Sequence, residues 1–189
     1  MRYQLFLLIV LASFATAEIQ NVSAQSDSSP KSEKPKEGDK KDAKAKKDDV
    51  ALAVIVHPKN SIKKVSFSEL RAYLKARRQF WPNKKRCDLF LPPTTSPAYK
   101  LLLKNVYKTS HKKLQKYWTR KQFSGDIATK PSYVSSFKAA GVLVLAKEGA
   151  LSVVPANRVP KGARVLLIDG KKPGDNGYKL SGKPDGKKK

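Results

Sequence analysis

Val50-Ala51-Leu52-Ala53-Val54-Ile55-Val56 is an unbroken apolar run, closed by His57-Pro58-Lys59-Asn60. A short run without alternation predicts a strand buried on both faces, as in a parallel sheet covered by helices. The loop residues after it end the strand. This run therefore points to an α/β layer structure, and the segments on either side can be read against it.

Downstream, Ser66-Phe67-Ser68-Glu69 has the spacing of a capping box. Leu70, Tyr73 and Leu74 follow at helical spacing, predicting a helix to about Arg77. Trp81-Pro82-Asn83 reads as a turn and Arg86 to Leu91 as a second strand. Ser96 is placed to cap a helix with Pro97 as its first residue, Tyr99, Leu101 and Leu102 facing inward, and its end near Lys108. Ser110 caps another, with Leu114, Tyr117 and Trp118 on one face. Phe123-Ser124-Gly125-Asp126 is a loop. Ser132 or Ser135 starts a third long helix, which Glu148-Gly149 closes with glycine as its C-terminal cap. Leu151 to Val154 and Arg164 to Ile168 are two further strands. The expected domain is α/β, a mixed sheet flanked by helices over residues 50–168, and its length suffices for one core.

The flanks read differently. Residues 1–17 have the form of a signal peptide: Arg2, an apolar stretch from Leu5 to Phe14, and Ala15-Thr16-Ala17 as cleavage site. Residues 18–49 balance eight Lys against eight Asp or Glu and hold few apolar groups, so a disordered linker is expected. Residues 169–189, rich in Lys, Gly and Asp, are expected to be a disordered tail. No later run is long and apolar enough to span a bilayer, so no transmembrane segment is expected after signal cleavage, and the chain is expected to be periplasmic or secreted. Cys87 is the only cysteine, so the domain relies on its core. Cys87 itself reads as a small buried apolar residue.

The net charge is +25, and it is uneven. Between Val50 and Ile168, 24 Lys and Arg face four acids, Glu69, Asp88, Asp126 and Glu148. A domain with that balance attracts small anions and polyanions. The cations are scattered, without zinc-finger, RRM or KH spacing. The chemistry of catalysis is not written in the chain. His57 and His111 stand apart, the acids form no pair, and no nucleophile elbow or P-loop occurs. No metal site, cofactor or enzymatic activity is expected.

The run Leu91-Pro92-Pro93-Thr94-Thr95-Ser96-Pro97 is where an anion would be received. A strand enters a hydroxyl cluster that opens a helix, and the first amides of a helix carry unpaired N–H groups and the positive end of its dipole. An ordinary capped helix reads the same way, and both readings stand at this point.

Val54-Ile55-Val56-His57-Pro58-Lys59-Asn60, Val65-Ser66-Phe67-Ser68-Glu69-Leu70 and Trp81-Pro82 together resemble phosphate ABC transporter substrate-binding proteins. So do Tyr117-Trp118 through Phe123-Ser124-Gly125 with the later Pro131, and Glu148-Gly149-Ala150-Leu151-Ser152-Val153-Val154. The resemblance implies a single-lobe periplasmic-binding-protein-like domain of the type 2 fold, related to ABC transport. It implies phosphate or another oxyanion as partner, held at Thr94, Thr95 and Ser96 with His57, Ser124 and Gly125 contributing. It also implies a second lobe or a membrane transporter component as partner. The chain departs from the family pattern in three ways: no glycine lies in the Thr94–Ser96 turn, Phe90 or Leu91 stands where the family has arginine, and His57 replaces asparagine. The alternative reading is a basic adaptor for polyanionic surface polymers or nucleic acid.

Overall fold

A computed structural model describes residues 49–184. The expected signal peptide, the linker up to Asp48 and residues 185–189 lie outside the described residues. In chain order the elements are β1 (Val50–Val56), β2 (Lys64–Val65), α1 (Phe67–Leu74), β3 (Asp88–Leu91) and α2 (Pro97–Leu102), which runs into a π-helical turn (Leu103–Tyr107). Then come α3 (His111–Phe123), β4 (Ser132–Tyr133), α4 (Phe137–Ala146), β5 (Ala150–Pro155), a 3-10 turn (Ala156–Arg158), β6 (Arg164–Val165), β7 (Leu167–Ile168) and β8 (Ser181–Gly182).

The main sheet is mixed and runs β4-β3-β5-β1-β6, with β8 also on β1. β1 is buried on both faces, as its composition demands, but it is antiparallel to β5, β6 and β8. The parallel ladder lies beside it, in β4-β3-β5. A run without alternation reports burial on two sides, and helices on both faces supply that whatever the strand direction.

The two faces of β1 feed two cores. Leu52, Val54 and Val56 pack with Leu70, Tyr73 and Leu74 of α1, Tyr99 and Leu102 of α2, and Leu114 and Trp118 of α3. Ala53 and Ile55 pack on the opposite face with Ala140 and Val144 of α4. The alternation of side chains along a strand thus sorts one apolar run into a three-layer arrangement. Each helix starts the same way: Ser66, Ser96, Ser110 and Ser136 each accept a hydrogen bond from the amide three residues on. At Ser66 the box is reciprocal, with Glu69 Oε2 accepting from the Ser66 amide at 3.0 Å. That amide, then the Ser66 hydroxyl and Arg78, hold the Glu69 carboxyl below the usual range.

Three expectations need correction. The third long helix starts at Phe137 behind Ser136, while Ser132 belongs to β4, so Val134 and Ser135 connect strand to helix. Gly149 is no left-handed cap. It is needed because a Cβ there would lie 2.0 Å from the Arg86 carbonyl oxygen, so the backbones of the β3 and β5 approaches touch. The third concerns residues 169–184, which are not a loose tail. Tyr178 and Leu180 are buried, the Tyr178 hydroxyl donates to the Leu52 carbonyl at 2.8 Å, and β8 pairs with Val50 and Ala51. Cys87 is half-buried, and burial, reinforced by Asp88, pushes its thiol up to about 12, so it is a packing residue rather than a nucleophile.

Candidate functional site

Sheet topology selects one end of the molecule. β3 and β4 are parallel neighbours. The helix following β3 packs on one face of the sheet, because Ala98, Leu101 and Leu102 of α2 belong to the larger core. The helix following β4 packs on the other, because Ala140 and Val144 of α4 belong to the smaller one. Where two adjacent parallel strands send their helices to opposite faces, a crevice opens beyond their carboxyl ends, the usual ligand position in such sheets.

A cleft of about 550 Å³ lies there. Pro97 and Ala98 of α2, Phe137 of α4, Val50 and Ala51 of β1, Pro155 of β5 and the turn Ala156-Asn157-Arg158 line it, with Asp49 at its rim. The first residues of two helices thus meet in one concavity. Pro97 has no N–H and Ser96 takes the Tyr99 amide, so the lining amides without a partner in the preceding turn are those of Ala98 in α2 and Phe137 in α4. Arg158 is exposed, and its guanidinium stands 5.6 Å from the centre of the Phe137 ring. No carboxylate pairs with Arg158 among the described residues. It is the one strong positive charge on the lining, opposed by Asp49.

A polar network fixes the α2 side of this edge. The Tyr99 hydroxyl lies 2.8 Å from His111 Nδ1 and 3.3 Å from the Tyr133 hydroxyl, and Gln115 Nε2 donates to Tyr133 at 2.9 Å. These contacts tie the start of α2 to the start of α3 and the end of β4. Burial first, and the Tyr133 hydroxyl second, hold the Tyr99 phenol well above its ordinary range, so it stays a neutral hydrogen-bonding group.

The sequence-predicted residues are not gathered into one site. Thr94 and Thr95 are exposed on the turn that opens α2, at the cleft end of β3. Ser96 is at the same place but its hydroxyl is committed: it donates to the Pro93 carbonyl at 2.6 Å and accepts from the Tyr99 amide at 3.2 Å. Ser96 is therefore a cap that shapes the turn. His57 is at the opposite end of the sheet, because β1 runs against β5 while β3 runs with it: Val56 pairs with Leu151, which is level with Leu89 near the start of β3. His57 Nδ1 accepts from the Lys59 amide at 3.1 Å, closing its own loop. Ser124 and Gly125 end α3. Gly125 takes a positive φ of 75° that suits its role after the helix, and the Ser124 hydroxyl contacts the Lys121 carbonyl and Asp126. The Asp126 carbonyl accepts from Gln79 Nε2, which places that loop beside the chain entering β3, again away from Thr94.

Sequence reasoning missed Arg158, Asn157 and the α4 start. One signal was available for α4: Ser135-Ser136-Phe137 repeats, after β4, the hydroxyl-then-helix pattern of Thr95-Ser96-Pro97 after β3. Nothing local marked Arg158, which is brought to the cleft by strand order alone.

No family model and no curated protein matches the chain. Solved structures do. An ABC-type phosphate transport receptor from Vibrio cholerae aligns with a TM-score of 0.57 at 15% identity, over 70% of this chain and 54% of that one. A structure from Clostridium perfringens, described as a phosphate ABC transporter substrate-binding protein with bound phosphate, aligns at 0.54 and 12% identity, over 66% and 47%. PstS from Borrelia burgdorferi aligns at 0.52 and 14% identity, over 66% and 49%. The chain spans about half the length of these proteins. It shares the fold of phosphate ABC transporter substrate-binding proteins across that half.

Proposed function

We propose that the chain is a non-enzymatic, solute-binding-like protein, periplasmic or secreted, that receives phosphate or a related oxyanion at the cleft where α2 and α4 begin. The observation that carries this reading is the meeting of two helix starts with Arg158 in one crevice. Helix amides offer directed donors and a guanidinium offers a planar pair of them, the chemistry an oxyanion needs. The shared fold supports the solute-binding class. The exposed Thr94 and Thr95 hydroxyls stand at the same end as additional donors.

The cleft is open to solvent, and hydrogen bonds to an anion strengthen only where water is excluded. The bound state is therefore weak in this chain by itself. A partner that closes the cleft, a second lobe or a transporter component, would convert weak capture into tight capture. Calorimetric and thermal-shift titration with inorganic phosphate tests the reading. Wild-type protein should gain melting temperature at millimolar phosphate, and Arg158→Gln should lose that gain while keeping its unliganded melting point. An absence of heat and of any shift in the wild type would falsify the reading.

A further inference from the structure

At the other end of the sheet the molecule carries a second, chemically different concavity. A cleft of about 250 Å³ lies beside the chain entering β3, with Arg78, Arg86, Lys130 and Lys147 as its cations and Asp88 as its acid. Arg78 is engaged by Glu69 at 3.2 Å. The other three cations are exposed and have no carboxylate partner among the described residues. Arg86 Nη2 donates to the Thr129 hydroxyl at 3.2 Å, and Lys147 lies 5.8 Å from the centre of the Phe90 ring. Three unpaired positive charges thus face one negative one.

The cleft does not end at its rim. Lys130 Nζ donates to Thr119 Oγ1 of α3 at 3.0 Å, and Arg120 is the next residue. Lys112, Lys116 and Arg120 recur every fourth position, so they share one face of α3, and all three are exposed. They rise roughly 6 Å per step along the helix axis. No acid occurs between His111 and Phe123. A line of cations thus runs from Lys147, Arg86 and Lys130 around the cleft to Arg120, Lys116 and Lys112 on α3, its two parts joined by the Lys130–Thr119 hydrogen bond.

We propose that this line is a binding track for a linear phosphate-rich polyanion, with a terminal phosphate group in the cleft and the chain continuing along α3. A single phosphate would use only the cleft. The length of the track is meaningful only for a polymer, whose binding is driven by release of condensed counterions. The track favours a base-free chain: stacking platforms for nucleobases use successive exposed rings, and between Lys112 and Arg120 no ring is exposed, with Phe80 beside Arg86 and Phe123 one turn past Arg120 both outside that stretch.

Binding of inorganic polyphosphate, pyrophosphate and a single-stranded oligonucleotide of matched charge tests this at low salt. Arg86→Glu with Lys147→Glu should weaken polyphosphate and pyrophosphate alike by more than ~10-fold. Lys116→Glu with Arg120→Glu should weaken polyphosphate comparably and leave pyrophosphate within about twofold. A control of equal charge, Lys161→Glu with Lys172→Glu, should change neither ligand by more than about twofold. Arg158→Gln should leave polyphosphate binding intact, which separates this track from the cleft at the other end of the sheet. Lys116, Arg120, Lys161 and Lys172 are exposed and line neither cleft, and circular dichroism checks folding for each variant. The proposal is overturned if the control pair loses as much affinity as the track pairs, if the α3 pair leaves polyphosphate unchanged, or if the oligonucleotide outcompetes polyphosphate.

Discussion

The two ends of this one sheet are both suited to anions, and they differ in how. At the carboxyl ends of β3 and β5, the donors proposed for an anion are the main-chain amides of Ala98 and Phe137, aided by one guanidinium. At the amino end of β3, they are side-chain cations on exposed stems. Main-chain donors are fixed in direction and discriminate by shape. Flexible cations discriminate little, and salt screens them within a Debye length of roughly 8 Å at physiological ionic strength. Shape selection and charge attraction, which a composition of +25 blurs into one property, are thereby separated by the length of a strand.

The comparison breaks most forcefully at Leu180. This side chain is fully buried, and its backbone carbonyl accepts from the Leu52 amide at 2.9 Å, next to the β8 pairing with Val50 and Ala51 that line the α2–α4 cleft. Leu180→Ala should cost about 3 to 4 kcal/mol in denaturant unfolding. If the two ends are independent, the folded remainder should lose response to phosphate and keep its affinity for polyphosphate. Equal loss at both would show that the ends act as one unit.

Gly149 probes the opposite end. Its absent Cβ admits the Arg86 carbonyl, and its own carbonyl accepts from Trp81 Nε1 at 2.9 Å and from the Asp88 amide at 3.0 Å. Gly149→Ala must push the Arg86 segment away, at a cost of about 2 to 3 kcal/mol in the same unfolding measurement. Here the expected pattern inverts, with polyphosphate affinity falling and the phosphate response retained.

Leu180 and Gly149 also mark what the sequence could and could not reveal. The core strand, the serine-capped helix starts and the α/β class were legible, because periodicity and caps are local signals. Ser66, Ser96 and Ser110 fill the predicted roles. The docked C-terminal segment was not legible, since two anchors, Tyr178 and Leu180, are hidden in a Lys- and Gly-rich composition that elsewhere signals disorder. The role of Gly149 depends on a neighbour more than sixty residues away in sequence. The residues proposed from sequence for one site are spread over the molecule: the Thr94–Ser96 turn opens α2 after the carboxyl end of β3, while His57 and Ser124–Gly125 are carried to the other end by the antiparallel pairing of β1 and by the length of α3. Strand direction is a nonlocal property, and the apolar run Val50–Val56 carries no mark of it.

The smallest effect is the most discriminating. Ser136 is exposed, and its hydroxyl accepts from the Ala139 amide at 3.1 Å, capping α4 beside Phe137 at the cleft. Ser136→Ala removes that acceptor and should cost about 1 kcal/mol of stability. The same change leaves one more α4 amide without a protein partner, and so available to a bound anion. If phosphate is held by the amides at this helix start, the variant should melt earlier without ligand and gain more from millimolar phosphate than the wild type does. If Arg158 alone attracts the anion, the phosphate-dependent gain should be the same in both proteins. Paired thermal melts with and without phosphate separate main-chain capture from simple charge attraction, which is the distinction between the two ends of the sheet reduced to one hydroxyl.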